Sequence, residues 1–449
     1  MPLDAKTNGA WVRNALHERL AALKDDGDQL VVLDAVRILG QITAIREGYG
    51  AGVIHIHLEA QRSELAKRYQ LRGDANLQEL DDYNKVMENE TERQVAELRQ
   101  YADVVISTER CTEQDVLLRA ASHVGVFGRT YSRMVDVIVG GQYGSEGKGQ
   151  VAAYMAPEYD LLVRVGGPNA GHTVWEEPDP YTFHHLPSGT RKNAGAGLAL
   201  GAGAVIRVET LLREIADCEV EADRLAIDPH AMVISDDDIA EENHFTSSMG
   251  STGQGVGVAT ARRILDRSRS SDSISIAANV DELKPFVRPV RDVLDEAFGR
   301  NRAVMLEGTQ GTGLSLFHGQ YPYVTSRDTT VAGCLADAGI SPSRVRKVLM
   351  VCRTYPIRVQ SPEGGTSGPM SREIKWNTVA ERSGVPIDEL QRVEKTSTTK
   401  RDRRVAEFDW AQLRRSASLN APTDIALTFM DYLSIENREA NRVEQLTEE

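Results

Sequence analysis

Apolar positions in the N-terminal part of the chain alternate between helical spacing and short continuous runs. Residues 5–25 carry apolar side chains at helical intervals, which predicts an amphipathic helix. Apolar runs predict strands at 30–33, 53–58 and 104–106. A helix is expected to open at Asp34, and a longer charged helix is expected over 81–101. Because strands alternate with helices, this part predicts a small parallel sheet.

From Met134 onward, apolar runs lead into glycine-rich turns. Strands are predicted at 135–139, 160–165 and 303–306, and glycine-rich turns at 139–150, 166–173, 201–203, 250–257 and 307–313. A sheet whose loops repeatedly present backbone N–H groups suits a large anionic ligand. The polar turns at 128–133 predict a boundary that divides the chain into domains 1–132 and 133–449.

The stretch 139–150 combines a strand end, a glycine-rich turn, Lys148 and a helix start. This combination binds phosphate, because bare backbone N–H groups approach the anion and the helix start adds partial positive charge. It is not a Walker A loop, since Gln142 stands where that motif has glycine and Gly149 where it has Ser or Thr. The alternative is a glycine-rich structural turn.

Composition narrows the class of protein. The chain has 449 residues, 41% hydrophobic and 26% charged, which is ordinary for two or three globular domains. The net charge of −14 argues against a nucleic-acid surface. No apolar run reaches the roughly 18 residues of a membrane-spanning helix, and no signal peptide is evident, so we expect a cytoplasmic protein. The 4 scattered cysteines argue against a cysteine-based zinc site.

Residues 28–128 resemble the C-terminal half of a deoxynucleoside monophosphate kinase in their order of elements. The helix after the second strand carries Arg68 and Arg72, which are either relics of phosphate-binding arginines or part of a solvated helix face. The kinase's phosphate loop is missing from residues 1–29. We therefore expect a small α/β accessory domain that resembles a P-loop kinase without its P-loop.

The ordered motifs of the second domain resemble adenylosuccinate synthetase. The matching segments are 144–149, 169–173, 185–189, 251–255, 307–311, 318–326 and 398–404. The resemblance covers about residues 134–435 and implies an α/β fold with a mostly parallel sheet and glycine-rich phosphate loops. Family enzymes phosphorylate the 6-oxygen of a purine monophosphate with a nucleoside triphosphate, and aspartate then displaces that phosphate.

The residues present suit this chemistry. A γ-phosphoryl group in transfer needs its charge neutralised, which Lys148, the loop N–H groups and Mg²⁺ would supply. His172, on its own glycine-rich turn, is expected to hydrogen-bond the 6-oxygen and act as general acid. The alternative for a lone histidine is a structural role.

The resemblance also implies the other site residues. The catalytic residues are Ser145, Lys148, His172 and Gln310. The ATP-binding residues are Gly144, Glu146, Gly147, Lys148, Gly149, Gly171, His172, Thr173, Phe429 and Asp431. The purine monophosphate is held by Ser145, Asn169, Ala170, Thr252, Gln310 and Thr325, with Arg263 or Arg267 reaching the phosphate from the partner subunit of a homodimer. Aspartate is received by Thr398, Thr399, Arg401 and Arg403, and Mg²⁺ by Ser145 and the carbonyl of Gly171.

Two motifs depart from the family. The family loop reads Gly-Asp-Glu-Gly-Lys-Gly, and Ser145 stands where its aspartate takes the proton from ring nitrogen 1 and helps hold Mg²⁺. A serine hydroxyl is a weak base and a neutral ligand. The guanine-reading Thr-Lys-Leu-Asp becomes residues 428–431 with Phe429 in place of lysine, so strict GTP selectivity is not expected. The chain also ends soon after this motif, where ordinary synthetases have a long C-terminal part.

These departures resemble the short bacteriophage relatives, the 2-aminoadenylosuccinate synthases, which carry serine in this loop. That resemblance implies dGMP as substrate and ATP or dATP as phosphate donor. Shortening aspartate to Ser145 leaves room for the 2-amino group of guanine, while the general base stays unassigned. The alternatives are a divergent synthetase acting on IMP with GTP, a degraded synthetase, and a nucleotide kinase or non-catalytic nucleotide-binding regulator.

Overall fold

The structure, a computed structural model, describes residues 2–22, 30–71, 83–125, 132–246, 252–270, 274–396, 400–440 and 445. The chain forms two compact units, Met1–Phe127 and Gly128–Glu449, called the small unit and the large unit below. The boundary after Phe127 lies close to the one that the sequence predicts after residue 132. No helix in the described ranges is long and apolar enough to span a membrane.

The described part of the small unit contains a two-stranded parallel sheet, β1 (Ile56–Glu59) and β2 (Val104–Ser107). Its helices are α1 (Pro2–Thr7), α2 (Ala10–Ala21), α3 (Leu39–Tyr49), α4 (Arg62–Gln70), α5 (Tyr83–Met87), α6 (Glu90–Glu97) and α7 (Glu113–His123). The predicted helix over 5–25 is broken at Asn8–Gly9, and the predicted helix over 81–101 is broken between Met87 and Glu90.

The predicted strand at 30–33 is wrong. Residues 30–37 are neither strand nor helix, and α3 begins at Leu39 rather than near Asp34. The side chain of Val32 is 81% exposed. An apolar run becomes a strand only where a neighbouring strand accepts its backbone hydrogen bonds, and within the described residues the sheet of this unit consists of β1 and β2.

Arg68 joins α4 to the segment after β2. Its guanidinium donates to Thr108 Oγ1 at 2.8 Å and to the Thr108 carbonyl at 2.9 Å, and it pairs with Glu64 at 2.9 Å. These contacts hold two elements of the small unit together. Arg72, the second arginine of the proposed phosphate pair, lies outside the described residues.

The large unit is built on a seven-stranded sheet. Its strands, with those of the minor sheets, are β3 (Val135–Gly140), β4 (Leu161–Arg164), β5 (His172–Val174), β6 (Tyr181–Phe183), β7 (Gly197–Leu200), β8 (Val205–Ile206), β9 (Leu225–Ile227), β10 (Met232–Val233), β11 (Val304–Glu307), β12 (Val345–Arg353), β13 (Ile357–Val359), β14 (Glu373–Ile374), β15 (Arg403–Ala406) and β16 (Asp424–Thr428). The main sheet has the order β16-β12-β3-β11-β4-β7-β9, and every neighbouring pair is parallel. The loops after these strands therefore meet at one edge.

Both faces of the main sheet are buried. Along β3, Ile138 packs into one apolar cluster, while Val137 and Val139 pack into another on the opposite face. This two-sided burial explains why β3 reads as a continuous apolar run. The helices of the large unit are α8 (Lys148–Met155), α9 (Val208–Asp217), α10 (Asp236–Thr246), α11 (Val256–Leu265), α12 (Val290–Gly299), α13 (Val331–Ala338), α14 (Trp376–Ser383), α15 (Ile387–Val393), α16 (Trp410–Asn420) and α17 (Ile435–Glu439).

Candidate functional site

The glycine-rich turn between β3 and α8 forms a phosphate-type loop at the C-terminal edge of the sheet. Gly144 and Gly147 have φ angles of 99° and 85°, a left-handed conformation that glycine adopts without strain. Gly149 is required for a different reason, because a side chain there would come within 2.7 Å of His172 Cβ. The loop and the predicted general acid are therefore in direct contact.

A buried ion pair occupies the inside of this loop. Lys148 Nζ lies 2.6 Å from Glu146 Oε2, and both side chains are 1% exposed. The other oxygen of Glu146 accepts hydrogen bonds from the backbone N–H groups of Gln142 and Gly144 at 3.0 and 2.8 Å. The loop thus already holds a carboxylate with its own amides and lysine, which is the chemistry that a phosphate oxygen would require.

His172 is held by Glu307, the last residue of β11. Nδ1 of His172 lies 2.5 Å from Glu307 Oε1. The same carboxylate accepts from the Ser188 backbone N–H at 2.8 Å and from the Ser188 hydroxyl. Nε2 of His172 is buried with no hydrogen-bond partner among the described residues. This arrangement fixes the ring by one nitrogen and leaves the other for a ligand.

The electrostatics of this pair keep the carboxylate charged and the histidine neutral. Burial, assisted by the charge of Arg164, lowers the pKa of His172 to about 4, against the raising effect of Glu307. Burial alone would raise the pKa of Glu307, but Arg164 and the hydrogen bond from His172 lower it to about 2. A negatively charged ligand beside Nε2 would raise the pKa of His172 again.

Arg164, Ser188 and Glu307 are the site residues that sequence reasoning missed. Arg164 ends β4 and donates to the carbonyls of Leu186 and Ala170 at 2.9 and 3.0 Å, which fixes the two turns that flank His172. Ser188 and Glu307 lie inside motifs that the sequence did single out. The available signal was position, because Glu307 and Arg164 are charged residues at the ends of otherwise apolar strands.

The predicted purine-monophosphate residues come from three separate turns. Thr252 donates its hydroxyl to Asn169 Oδ1 at 2.6 Å, which joins two of these turns. Gln310 is buried and has a φ of 58°, and its Cα would lie 3.1 Å from a side chain on Gly144. Ala170 is buried beside Asn169, and the Thr325 N–H donates to Leu314 at 2.8 Å.

The segment predicted to receive aspartate lies at a cavity of about 590 Å³. The cavity is lined by Asn243, Thr252, Gly253, Gln360, Ser361, Pro362, Lys395, Lys400, Arg401 and Asp402. The structure therefore brings Thr252, predicted for the purine monophosphate, together with Arg401, predicted for aspartate. Thr398 and Thr399 lie outside the described residues.

Arg403, the other predicted aspartate ligand, is engaged inside the protein. Its Nη1 donates to Glu394 Oε2 at 3.0 Å. Glu394 is buried, and Arg353 pairs with its other oxygen at 2.8 Å. Arg403 is therefore held inside the protein by Glu394, while Arg401 lines the cavity.

Among the remaining predicted ATP residues, Phe429 lies beside the loop. Phe429 follows β16, with its ring 3.6 Å from a side chain placed on Gly147 and 3.8 Å from the guanidinium carbon of Arg353. Asp431 is exposed two residues further on. Thr173 pairs through its hydroxyl with Thr182 at 2.9 Å. Gly171 lies between Ala170 and His172.

Arg263 lies in the last turn of α11, and Arg267 lies in the short turn that follows this helix. Arg263 donates to the His230 carbonyl, and Arg267 Nε donates to the Ile264 carbonyl at 2.8 Å. Ile264 and Leu265 beside them are largely exposed.

The predicted magnesium ligands are compatible with a magnesium ion that is held mainly by other groups. The predicted ligands, the Ser145 hydroxyl and the Gly171 carbonyl, are both neutral oxygens. The described residues contain no group of three or more His, Cys, Asp or Glu side chains that could hold a metal by themselves. Two neutral oxygens fit a magnesium ion that arrives with the triphosphate and keeps several waters.

Comparison with known proteins assigns the large unit. The model of the adenylosuccinate synthetase family matches residues 137–274 and 269–438. The adenylosuccinate synthetase of Methanocaldococcus jannaschii is 37% identical over 304 residues, covering 66% of this chain and 82% of that protein. The enzyme of Pyrococcus horikoshii is 35% identical over 310 residues, covering 66% and 83%.

Two solved structures share the fold. The succinoaminodeoxyadenylate synthetase (PurZ) of cyanophage S-2L, bound to dGMP and to dATP as an energy donor, has 31% identity and a TM-score of 0.60, covering 67% of this chain and 86% of its own. The fully ligated adenylosuccinate synthetase of Plasmodium falciparum has 26% identity and a TM-score of 0.57, covering 68% and 78%.

The parallel sheet, its phosphate-type loop and the family match together define a nucleotide-dependent ligase that forms carbon–nitrogen bonds. The chain belongs to the adenylosuccinate synthetase family. Enzymes of this family use a nucleoside triphosphate with Mg²⁺. The matched residues begin at 137, so the family assignment concerns the large unit.

Proposed function

We propose that this protein joins L-aspartate to the 6-position of dGMP with ATP or dATP and Mg²⁺, through a 6-phosphoryl intermediate. The product is N6-succino-2-amino-2'-deoxyadenylate, a precursor for DNA that contains 2-aminoadenine. The cytoplasm, here that of a bacteriophage-infected host, is the proposed location. Similarity to the cyanophage enzyme that binds dGMP and dATP supports this choice of substrates.

Ser145 is the observation that carries the proposal. It lies half-buried in the phosphate-type loop, next to the buried Lys148–Glu146 pair. An aspartate here would place a carboxylate beside ring nitrogen 1, where guanine carries a neighbouring 2-amino group and hypoxanthine carries only hydrogen. A shorter, neutral serine removes both the bulk and the charge from that edge of the base.

His172 and Lys148 carry the chemistry in this proposal. Lys148 neutralises charge on the γ-phosphoryl group during transfer, and Mg²⁺ on the triphosphate contributes further neutralisation. Nε2 of His172 would hydrogen-bond the 6-oxygen while that oxygen attacks the γ-phosphorus, and would donate a proton when aspartate later displaces the same oxygen with the phosphate. The low pKa of His172 in the ligand-free protein makes that proton available only when substrate phosphates stabilise the imidazolium. Glu307 then stabilises the charged ring through Nδ1.

Aspartate and the purine monophosphate are assigned to different residues around the cavity. Aspartate, a dicarboxylate, suits Arg401 and the lysines around the 590 Å³ cavity. Thr252 on the same cavity, with its partner Asn169, suits the purine monophosphate. The α-amino group of aspartate and the 6-position would then meet where these turns converge.

The deciding experiment offers both purine substrates. The protein is incubated with aspartate, Mg²⁺ and ATP, with either dGMP or IMP, and succinylated products are resolved by mass spectrometry. We expect succinylation of dGMP, with IMP at least about tenfold slower. Succinylation of IMP alone would overturn the proposal.

Substituting Ser145→Asp sharpens this test. The carboxylate should crowd and repel the 2-amino edge of guanine, so the ratio of kcat/KM for dGMP to that for IMP should fall by about tenfold or more, equal to about 1.4 kcal/mol. Ser145→Thr, which adds bulk without charge, separates the two effects. An unchanged ratio in Ser145→Asp would refute the role assigned to Ser145.

A second candidate is an adenylosuccinate synthetase acting on IMP. The relatives at 35–37% identity from Methanocaldococcus and Pyrococcus favour it. The assay above distinguishes the two candidates, and replacing ATP with GTP tests the donor. With Phe429 in place of a lysine, we expect ATP to serve at least as well as GTP.

We also propose a homodimer in which an arginine reaches the partner's substrate phosphate. Arg263 and Arg267 flank the exposed Ile264 and Leu265, which supports this surface as the contact. Ile264→Glu should weaken the dimer in analytical ultracentrifugation. Mixing Arg263→Ala subunits with inactive His172→Asn subunits should restore activity if the arginine acts in trans, and the same mixture made with Arg267→Ala identifies which arginine is used.

A further inference from the structure

The guanidinium of Arg353 contacts three parts of the site at once. Arg353 is the last residue of β12, which lies between β3 and β16 in the sheet. It is fully buried, and its Nη1 donates to the Ser145 carbonyl in the phosphate-type loop at 3.3 Å. Its backbone N–H and carbonyl also exchange hydrogen bonds with the side-chain amide of Gln142, at 3.0 and 2.9 Å.

A second contact joins Arg353 to Glu394, which directly precedes Lys395 in the chain. Nη2 donates to Glu394 Oε1 at 2.8 Å, while Arg403 donates to Glu394 Oε2 at 3.0 Å. Glu394 and Arg403 stand at the two ends of the segment that carries Lys395, Lys400 and Arg401. The buried carboxylate of Glu394 therefore ties Arg403, and the chain where Lys395 follows Glu394, to β12.

The third contact is with Phe429. The guanidinium carbon of Arg353 lies 3.8 Å from the centre of the Phe429 ring, in a cation–π arrangement. The ring packs on Tyr432, with centroids 5.4 Å apart. Because Phe429 stands beside the loop at Gly147, a nucleotide base placed there would press on the same ring that supports Arg353.

Two buried donors of this network, Nε of Arg353 and Nε of Arg403, have no protein partner among the described residues. Buried donors in native proteins are usually paired, and exceptions point to groups that a ligand or water completes. In a low-dielectric interior, a shift of the guanidinium at one contact changes the energy of the other two.

We propose that Arg353 is a positioning residue that couples the triphosphate end of the site to the aspartate end. Nucleotide seated against the loop and Phe429 holds the guanidinium, which holds Glu394 and with it the segment that receives aspartate. The inference rests on the proposed function for the identity of the two ligands. By thermodynamic reciprocity, aspartate must then strengthen nucleotide binding by the same factor.

The experiment measures this factor directly. Isothermal titration calorimetry gives the Kd of adenylyl imidodiphosphate with Mg²⁺, with and without saturating L-aspartate, and the ratio of the two is the coupling factor. We expect a factor of about five or more for the unaltered protein, and a factor within twofold of one for Arg353→Lys. Lysine keeps the charge but cannot bridge three partners as the planar fork does.

The matched control is Arg346→Lys. Arg346 lies on the same strand and pairs with the buried Asp136 at 2.6 Å, near the strand's opposite end. Its coupling factor should equal that of the unaltered protein. If Arg353 had only a structural role, Arg353→Lys would weaken nucleotide binding equally with and without aspartate and leave the coupling factor unchanged. An unchanged coupling factor in folded Arg353→Lys therefore overturns the proposal. A coupling factor of one in the unaltered protein also overturns it.

A second variant covers the case in which Arg353→Lys does not fold. Phe429→Leu keeps the Arg353–Glu394 pair and removes the ring beneath the guanidinium, so the coupling factor should fall to less than half. A factor equal to that of the unaltered protein would overturn the proposal. None of these titrations requires turnover or a purine monophosphate. Failure of dGMP succinylation would therefore sink the proposed function without deciding the role of Arg353.

Discussion

The most buried ion pairs of the large unit differ from the described ion pairs of the small unit, which are all partly exposed. In the small unit, Arg46 and Asp103 lie 2.7 Å apart with side chains 34% and 45% exposed. In the large unit, Arg353 and Glu394 lie 2.8 Å apart with side chains 1% and 3% exposed. Exposed pairs contribute little and are screened by salt. Burying a pair costs desolvation, which is tolerated mainly where structure or function requires it.

This difference in burial supports the large unit as the location of the candidate functional site. The buried pairs of the large unit converge on one edge of the parallel sheet, and they include the histidine with a strongly shifted pKa. Strong pKa shifts from burial plus a specific charged partner cluster at functional sites. The described arginine contacts of the small unit include those of Arg46 and Arg68, which hold α3 and α4 to their neighbouring segments.

The largest effect should follow from removing the imidazole of His172. For His172→Asn we expect kcat to fall by about 10²–10⁴-fold, the usual contribution of a general acid, measured as initial rates at saturating substrates. The control is His57→Asn in the small unit. Burial also lowers the pKa of His57, but no catalytic partner is assigned to it. Equal losses in both variants would contradict the comparison between the units.

Breaking one ion pair in each unit should separate their energies. Lys148→Met leaves the carboxylate of Glu146 buried without its cation, and the free energy of unfolding of the large unit should fall by about 3–5 kcal/mol. Arg46→Met should cost the small unit less than about 1 kcal/mol. Urea denaturation followed by circular dichroism measures both. A loss below about 1 kcal/mol for Lys148→Met would mean that burial of the pair is not maintained in solution.

Mild acid should destabilise the large unit through two neutral histidines. Burial lowers the pKa of His172 to about 4 and that of His185 to about 3, against 6.5 in the unfolded chain. Between pH 6.5 and 4 the unfolded chain therefore binds protons that the folded unit does not. The free energy of unfolding consequently decreases as the pH is lowered. We expect a loss of about 2–3 kcal/mol per histidine between pH 7 and 4.5.

The pH effect is checked by urea denaturation at three pH values in that range. His185 accepts a hydrogen bond from the Arg207 N–H at 3.2 Å, which requires a neutral Nε2. The double variant His172→Asn, His185→Asn should show a much shallower pH dependence. Stability that stays constant from pH 7 to 4.5 in the unaltered protein would contradict the assigned neutrality.

Deleting residues 1–132 should have the smallest effect on the ligase. The residues assigned to the reaction lie in the large unit, so kcat/KM should stay within about threefold. Assays for phosphoryl transfer to nucleoside monophosphates, run on both proteins, test the alternative of a nucleotide kinase. A kinase activity that disappears with the deletion would favour that alternative, and a lost ligase activity would show that the small unit takes part in the reaction.

Local sequence was sufficient for the parts of the site that are continuous in the chain. The run from Val135 to Lys148 predicted a strand, a glycine-rich turn and a helix, and the structure confirms all three as β3, the loop and α8. The match of the family model confirms the resemblance drawn from the later motifs. These features could be read because each is determined by neighbours within a few residues.

Features set by long-range contact could not be read in this way. Glu307 meets His172 from a strand 135 positions further along the chain, and nothing in either local sequence specifies that partner. The same limit explains the wrong strand at 30–33, where the apolar pattern suits a strand but no strand in the described part of the small unit pairs with it. The proximity of Arg353 to Ser145, Glu394 and Phe429 likewise follows only from the order of strands in the sheet.

The close approach of Gly141 to Cys352 has a practical consequence. A side chain on Gly141 would lie 2.6 Å from Cys352 Sγ, so the turn that follows β3 covers the thiol, and burial raises the pKa of Cys352 to about 12. Cys334 is also buried, with its pKa raised by burial. Cys218 in the large unit is half-buried, and burial raises its pKa as well. Alkylating reagents react with thiolates, so maleimide dyes at neutral pH should mark the half-buried Cys111 in the small unit first. A fluorescent label there would report on that unit while the phosphate-type loop stays chemically untouched.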